Sequence, residues 1–269
     1  GRSYYSRSGE GLHRYIDPSD GRVYLYTQYE PADCRRVFPN FEQPDLKAVF
    51  NFRITAPRDW VVSSNGVLES EVSDPTDSNI VKRVFAPTER ISTYITAVLA
   101  GEYFTVTDTY KPQSTTNSGD IPLVAYCRHS LKPHFDYDNI FRVTKNGLDF
   151  FQDLFDYPYP YPKYEQAFVP EYNIGAMENP GLVTFTEDFI FVSGATEDDL
   201  EGRANTICHE MAHMWFGDLV TMKWWDDLWL KESFADFMGA LGAIEANGFN
   251  DAWVTFANHR KSWAYLQDQ

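Results

Sequence analysis

Short stretches in which hydrophobic and polar residues alternate fill the first part of the chain, residues 1–103. These stretches are rich in β-branched and aromatic residues, and turn pairs such as Asp20-Gly21 and Asn65-Gly66 separate them. The pattern is typical of short antiparallel strands joined by tight turns. The predicted strands are residues 22–28, 48–55, 60–65, 81–85 and 92–99. We therefore expect the chain to begin with an antiparallel β saddle or sandwich.

The remaining residues, 104–269, mix strand and helix patterns. Apolar positions at helical spacing predict a helix over 141–155. Short apolar runs predict strands at 121–126, 163–169 and 182–185. The change of pattern predicts a domain boundary after residue 103, with domains at 1–103 and 104–269. The predicted fold class is therefore α+β.

Two amphipathic helices are predicted near the end of the chain. Thr196 followed by three acidic residues is typical of a helix start, since Thr caps a helix and acidic groups favour its positive end. The apolar stripe of the first helix is Leu200, Ala204, Ile207, Met211 and Met214. The second helix is predicted to be capped by Asp226 or Asp227. Its predicted buried face is Phe234, Phe237, Met238, Leu241 and Ile244, with Glu232, Ala235, Asp236 and Gly239 pointing elsewhere.

Residues 209–213 read His-Glu-Met-Ala-His. In a helix the imidazoles of His209 and His213 point from adjacent turns of one face, so both can bind one metal ion. Glu210 lies on the flank of that face, where it is placed to take a proton from a metal-activated water but is poorly directed as a ligand. A catalytic zinc takes three protein ligands, and Glu232 on the next predicted helix is the best candidate for the third.

The net negative charge of the chain argues against nucleic acid as a partner and favours cationic ligands. The chain has 23 basic and 39 acidic residues, a formal net charge of −16. Such a surface repels the phosphates of nucleic acid and suits cationic ligands such as a free amino terminus. The sequence has no apolar run long enough to cross a bilayer, and its three cysteines follow no disulfide spacing. We therefore expect a cytoplasmic protein that binds neither nucleic acid nor membrane.

The segment 173–181 connects two predicted strands and contains Gly175 and Ala176. These small residues leave the backbone almost uncovered, so an extended peptide could pair with it as an added strand. Glu178 would then place a carboxylate close to that peptide. An ordinary glycine-containing connection explains the same composition equally well.

These separated motifs resemble the M1 family of zinc aminopeptidases, the aminopeptidase N group. The matching residues are Gly175-Ala-Met-Glu-Asn179, His209-Glu-x-x-His213 with Glu232, and the segment 26–39 with Glu42-Gln-Pro44. The resemblance implies an N-terminal β domain followed by a thermolysin-like zinc peptidase domain that is truncated here. It also implies that peptide substrates with a free N-terminus lose their first residue by hydrolysis.

The resemblance assigns a role to each residue of the metal-binding motif. His209, His213 and Glu232 would bind one zinc ion, Zn²⁺, per chain. Glu210 would be the general base and later the general acid. Asp236, one turn beyond Glu232, is a further candidate that could orient a metal ligand. A solvated helix position explains Asp236 at least as well.

The resemblance also implies a set of substrate contacts. Glu178 would hold the free α-amine, with Glu30 as a second carboxylate supplied by the first domain. Gly175 and Ala176 would pair with the peptide backbone, and Gln28 would line the pocket for the first side chain. The full implied set is Gln28, Glu30, Gly175, Ala176, Met177, Glu178 and Asn179.

Two other functions could use the same residues. A peptide-binding module would capture amino termini through Glu30 and Glu178 without hydrolysis, and an epoxide hydrolase could be built on the same scaffold. The family's catalytic tyrosine would lie downstream of Gln269. We therefore expect the sequence to be part of a longer enzyme, and this part to be weak or inactive by itself, because it lacks an oxyanion donor.

Overall fold

The computed structural model describes residues 2–113 and 119–267. Seven strands precede residue 102 and form two antiparallel sheets, with orders β1-β2-β7-β4 and β3-β6-β5. The strands are β1 (Gly11–Ile16), β2 (Val23–Gln28), β3 (Arg53–Pro57), β4 (Val61–Ser64), β5 (Leu68–Ser73), β6 (Ile80–Phe85) and β7 (Val98–Gly101). The predicted antiparallel β region is therefore present.

A third sheet follows and has mixed pairing. Its strands are β8 (Tyr103–Tyr110), β9 (Ile121–Arg128), β10 (Tyr164–Val169), β11 (Ala176–Met177) and β12 (Val183–Thr186). Their order is β11-β12-β10-β9-β8, with parallel pairing among β9, β10 and β12 and antiparallel pairing at both edges. The change of sheet between β7 and β8 supports the boundary predicted after residue 103, which stays a prediction.

Three long helices pack against this third sheet and share one apolar core with it. The helices of the chain are α1 (Tyr137–Phe155), α2 (Glu197–His213), α3 (Trp229–Glu245), α4 (Ala252–Thr255) and α5 (Ser262–Gln267), with a π-helical turn at Phe256–Lys261. Short 3-10 turns lie at Cys34–Arg36, Thr93–Ile95, His129–His134, Glu187–Phe189 and Trp225–Asp227. The α+β fold class is confirmed. None of the described helices combines the length and the apolar character needed to cross a bilayer.

The start of α2 follows the sequence prediction. The side chain of Thr196 accepts a hydrogen bond from the backbone N–H of Asp199, and the Asp199 carboxylate accepts one from the backbone N–H of Thr196. This reciprocal capping satisfies two donors that a helix start otherwise leaves unpaired. The buried stripe of α2 includes Ala204, Ile207 and Met211, as predicted.

The start and the buried face of α3 differ from the sequence prediction. Neither Asp226 nor Asp227 caps the helix, because both lie in a 3-10 turn and Leu228 is the N-cap. Phe237, predicted to be buried, is 43% exposed. Ala235 and Gly239, predicted to point elsewhere, are buried. The physical reason is that α3 packs against α2 through its smallest residues, which allow the two backbones to approach closely.

Two of the predicted strands are shorter than expected. Strand β3 begins only at Arg53, and residues 92–99 contain the 3-10 turn Thr93–Ile95 before β7 starts. The Ser92 hydroxyl donates to the carbonyl of Pro44, which ties this segment to a neighbouring loop. The turn directs Tyr94 into the interior, where it is 1% exposed.

A cluster of four polar side chains joins β4 to β9 and β10. We call it the closed cluster; its residues are Ser63, Tyr126, Lys163 and Glu165. The Glu165 carboxylate accepts hydrogen bonds from Ser63 at 2.5 Å and from Tyr126 at 2.8 Å. Lys163 Nζ lies 2.9 Å from both Glu165 Oε1 and Ser63 Oγ. All four residues are buried, so this network links the first sheet to the third out of contact with solvent.

Candidate active site

The last turn of α2 brings the two predicted histidines together. Nε2 of His209 and Nε2 of His213 lie 3.0 Å apart. Nδ1 of His213 donates to the backbone carbonyl of Phe216 at 3.0 Å. This bond fixes the imidazole ring and leaves the Nε2 lone pair directed toward His209, the arrangement a metal-binding histidine needs.

Glu232 reaches the same point from the first turn of α3. Its Oε2 atom lies 3.5 Å from Nε2 of His209 and 3.6 Å from Nε2 of His213. The helices approach closely because Gly239 faces α2: a Cβ there would lie 2.9 Å from the Asn205 carbonyl oxygen and 3.2 Å from His209 Cβ. A larger residue at 239 would force the helices apart and withdraw Glu232 from the histidines.

The three side chains fit a zinc ion. Tetrahedral zinc with bonds of about 2.0–2.1 Å places neighbouring donor atoms about 3.3 Å apart. The separations of 3.0, 3.5 and 3.6 Å in this triangle surround that value. Two imidazole nitrogens and one carboxylate oxygen are also a donor set typical of catalytic zinc, with one position open.

Glu210 lies beside this triangle and lines the same cleft. It is 5% exposed, and one of its carboxylate oxygens lies within 4.8 Å of ligand atoms of Glu178 and His213. Burial, followed by the negative charges of Glu178 and Glu232, raises the pKa of Glu210 well above its usual range. A carboxylate with a raised pKa accepts a proton more readily, which is the property a general base requires.

Glu30 and Glu178 face each other across the cleft from different parts of the chain. Glu30 follows β2, whereas Glu178 follows β11, yet one oxygen of each lies within 4.8 Å of the other and of Glu232. The cleft has a volume of about 400 Å³. Its lining residues are Gln28, Glu30, Pro31, Ile174, Ala176, Glu178, His209, Glu210, His213, Trp225, Leu228 and Glu232. The structure thus brings both predicted amine anchors to the predicted metal ligands.

The segment around β11 presents an open strand edge to the cleft. Strand β11 pairs with β12 on one side only and is the edge strand of the third sheet. Gly175 is exposed and Ala176 half-buried. An extended peptide can therefore add to this edge through its backbone.

Three of the predicted substrate-binding residues lie beside the cleft rather than lining it. The Asn179 side chain donates to Thr184 Oγ1 at 3.3 Å and so holds the turn after β11. Met177 is buried, and its sulfur accepts a hydrogen bond from Gln28 at 3.8 Å. Gly175 contributes backbone only. These residues shape the segment that carries Glu178.

Sequence reasoning missed Lys231, which lies at the centre of the acidic residues. Its Nζ atom is 2.5 Å from Glu178, 2.6 Å from Glu30 and 2.8 Å from Glu232. We call these four residues the open cluster. The only sequence signal was that Lys231 precedes Glu232, and a lysine on a helix ordinarily faces solvent.

Among the described residues, the Asp236 side chain makes no hydrogen bond to His209, His213 or Glu232. Its carboxylate instead lies 3.4 Å from Nε of Arg260. Burial lowers the pKa of His209, and the charge of Asp236 is a small effect in the opposite direction. Its role in orienting a ligand stays a prediction.

Two family models match this chain. The family model of the peptidase M1 N-terminal domain matches residues 4–95, and that of the peptidase family M1 domain matches residues 140–268. Aminopeptidase N of Streptomyces lividans is 52% identical over 267 residues, which cover 98% of this chain and 30% of the relative.

Two relatives of lower identity also match most of this chain. Human aminopeptidase N is 36% identical over 232 residues, 85% of this chain and 23% of the relative. Probable aminopeptidase 2 of Sulfurisphaera tokodaii is 35% identical over 255 residues, 94% of this chain and 31% of the relative. The chain therefore spans less than a third of the length of these relatives. With both M1 domains matched in their order along the sequence, the chain belongs to the peptidase M1 family.

Proposed function

We propose that this chain carries the metal-binding and amine-binding part of a zinc aminopeptidase, an enzyme that hydrolyses the first residue from peptides. The observation that supports the proposal best is that Glu30 and Glu178 share one cleft with His209, His213 and Glu232. The carboxylates suit a charged amino terminus, whereas the triangle suits a metal ion. Their proximity limits the distance between the bound amine and the reacting bond to about one residue.

His209, His213 and Glu232 would hold the zinc ion. When bound, zinc would polarise the scissile carbonyl and make an attacking water more acidic. Glu210 accepts the proton of that water and later delivers it to the leaving amine. Its buried position beside the cleft keeps the proton close to the reacting bond rather than in bulk solvent.

The remaining residues bind and orient the peptide. Glu30 and Glu178 bind the α-ammonium through charge-assisted hydrogen bonds. The edge of β11 holds the peptide backbone in an extended conformation. Gln28 is fixed by a hydrogen bond of 2.8 Å from Tyr172 to its Oε1 atom, so it presents a defined surface to the first side chain.

The proposal predicts that Glu210→Gln lowers kcat by about 10²–10⁴-fold, because the substitution keeps the shape and removes the base. The measurement is release of the free aniline from an aminoacyl anilide by the complete protein, together with its zinc content. Zinc content should stay at one ion per chain. Glu197→Gln, in the exposed first turn of the same helix, is the matched control and should keep wild-type activity.

Two results would contradict the proposal. One is normal turnover by Glu210→Gln, which would exclude the residue as the base. The other is equal cleavage of a peptide and its N-acetylated form, which would show that a free amine is not recognised. A protein that binds free amino termini and zinc but hydrolyses nothing would support the binding-module alternative instead.

A further inference from the structure

Lys231 contacts three carboxylates that come from three separate parts of the chain. Glu30 follows β2, Glu178 follows β11, and Glu232 lies in the first turn of α3. In each case the contacting atom is Oε1: the distances to Lys231 Nζ are 2.6, 2.5 and 2.8 Å respectively. The ammonium donates a hydrogen bond to Glu178 and holds Glu30 and Glu232 as close ion pairs.

In each carboxylate the contact to Lys231 involves one of the two oxygens. Oε2 of Glu232 is the atom that faces the two histidines, at 3.5 and 3.6 Å. The Oε2 atoms of Glu30 and Glu178 are not the atoms engaged by Lys231. Lys231 therefore contacts one oxygen of each carboxylate, and in Glu232 the other oxygen is the one that faces the metal-binding triangle.

Lys231 approaches the carboxylates from the protein interior rather than from the cleft. Its side chain is 2% exposed, and it is absent from the described residues that line the cleft, although all three carboxylates are among them. Its stem lies against Gly217, where a Cβ would be 3.4 Å from Lys231 Cδ. Its Nζ atom is 5.0 Å from the centre of the buried Tyr94 ring.

The electrostatic balance favours a lysine that stays charged. Burial disfavours the ammonium, but Glu178, with Tyr94, Glu30 and Glu232, outweighs burial and raises the pKa of Lys231. One positive charge faces three carboxylates, so the group retains excess negative charge. That excess is what a zinc ion and a substrate ammonium would neutralise.

We propose that Lys231 is a positioning residue that fixes the two amine-anchoring carboxylates and the carboxylate ligand of the metal from behind. Glu232 belongs both to the open cluster and to the metal-binding triangle. Lys231 therefore links metal binding to amine binding. This inference rests on the proposed function. The alternative arrangement, in which Lys231 occupies the amine-binding position and blocks it, makes opposite predictions.

The variant Lys231→Met removes the ammonium and keeps an unbranched apolar stem. Partners that orient a metal ligand typically contribute 10–100-fold to metal affinity, so we expect zinc affinity to fall by about that factor. The ratio of affinities for a free dipeptide and its N-acetylated form should fall by about 10-fold or more, because the anchors are no longer held apart. Both are measured by calorimetric titration of the complete protein: zinc is titrated alone, and each peptide is titrated into the metal-free protein, which does not hydrolyse it.

Lys163→Met is the matched control. Lys163 is also a buried lysine with a glutamate partner, but it lies in the closed cluster outside the cleft. Its substitution should leave zinc affinity and the free-amine preference within about 3-fold of wild type. Tighter peptide binding by Lys231→Met than by wild type would show that the lysine blocks the amine site and would overturn the proposal. Unchanged zinc affinity and unchanged preference would overturn it too.

If Lys231→Met does not fold, the position of the Lys231 ammonium can be tested in the wild-type protein by chemical modification. Brief treatment with acetic anhydride, read by peptide mass spectrometry, should modify the half-exposed Lys145 and leave Lys231 unmodified. Modification of Lys231 that a bound dipeptide prevents would place its ammonium in the cleft and contradict the proposal. If the wild-type protein binds no zinc and shows no free-amine preference, the proposed function fails rather than the role of Lys231.

Discussion

The open and the closed cluster are two buried lysine–glutamate groups with opposite balances of charge. In the closed cluster Lys163 pairs with one carboxylate, Glu165, whose other partners are the hydroxyls of Ser63 and Tyr126. In the open cluster a single lysine, Lys231, contacts three carboxylates. The closed cluster pairs one ammonium with one carboxylate, whereas the open cluster has two more carboxylates than ammonium groups, and its three carboxylate residues line the cleft.

This difference separates a structural network from a site. A buried charge is tolerated when its partners satisfy it, and the closed cluster meets that condition between two sheets. An excess of buried negative charge is unfavourable unless a cation arrives. Under the proposed function, the excess charge of the open cluster lowers the stability of the metal-free protein and would favour binding of a metal ion and an ammonium group.

The largest expected effect on stability comes from a substitution in the closed cluster. Lys163→Met leaves the Glu165 carboxylate buried without its counter-ion, and we expect the free energy of unfolding to fall by about 3–5 kcal/mol. Added zinc should raise the stability of this variant by the same amount as that of wild type, because the metal site is untouched. Urea unfolding with and without zinc measures both values; a loss below about 1 kcal/mol would contradict a structural role.

The pH dependence of stability tests the open cluster. Burial, followed by the charge of Glu178, raises the pKa of Glu30 from 4.5 to about 7. The folded protein without metal therefore holds a proton that the unfolded chain has released. The corresponding stabilisation is complete below pH 4.5 and is lost as the pH rises through about 7, an effect of up to about 3 kcal/mol.

Glu30→Gln should reduce this loss, because the amide does not titrate. The measurement is urea unfolding of metal-free protein at about pH 5 and about pH 8, on either side of the Glu30 titration. Glu69→Gln, on the exposed strand β5, is the matched control and should show the wild-type loss. Equal losses in Glu30→Gln and wild type would mean that Glu30 does not carry the effect.

The smallest expected effect on the free energy of unfolding comes from removing a tyrosine hydroxyl from each cluster. Tyr126 donates to Glu165 at 2.8 Å in the closed cluster, whereas the Tyr94 hydroxyl is 3.4 Å from Glu178 in the open cluster. Tyr126→Phe should cost about 1.5–3 kcal/mol, the range for a hydrogen bond to a charged group, and Tyr94→Phe less than about 1 kcal/mol. Thermal unfolding of both variants gives the comparison, and the reverse order would show that the clusters differ in another way.

The sequence by itself determined the local features of this protein. The spacing of His209 and His213 and the cap at Thr196 depend on neighbouring residues, and helix geometry turns that spacing into a shared face. The short strands and the α+β class followed from the period of apolar residues, apart from β1, β5, β8 and β11, which were not predicted. The M1 resemblance added Glu30 and Gln28, which no local pattern would have selected.

Only the tertiary structure decided which distant side chains meet. Small residues on α3, including Gly239, brought Glu232 within 3.6 Å of the histidines, and this approach also buried Ala235 and Gly239, which the sequence had placed on another face. The position of Lys231 was unpredictable for the same reason: two of its three partners, Glu30 and Glu178, lie far from it in sequence. A local pattern specifies how a side chain leaves its own helix, whereas packing between elements specifies what that side chain encounters.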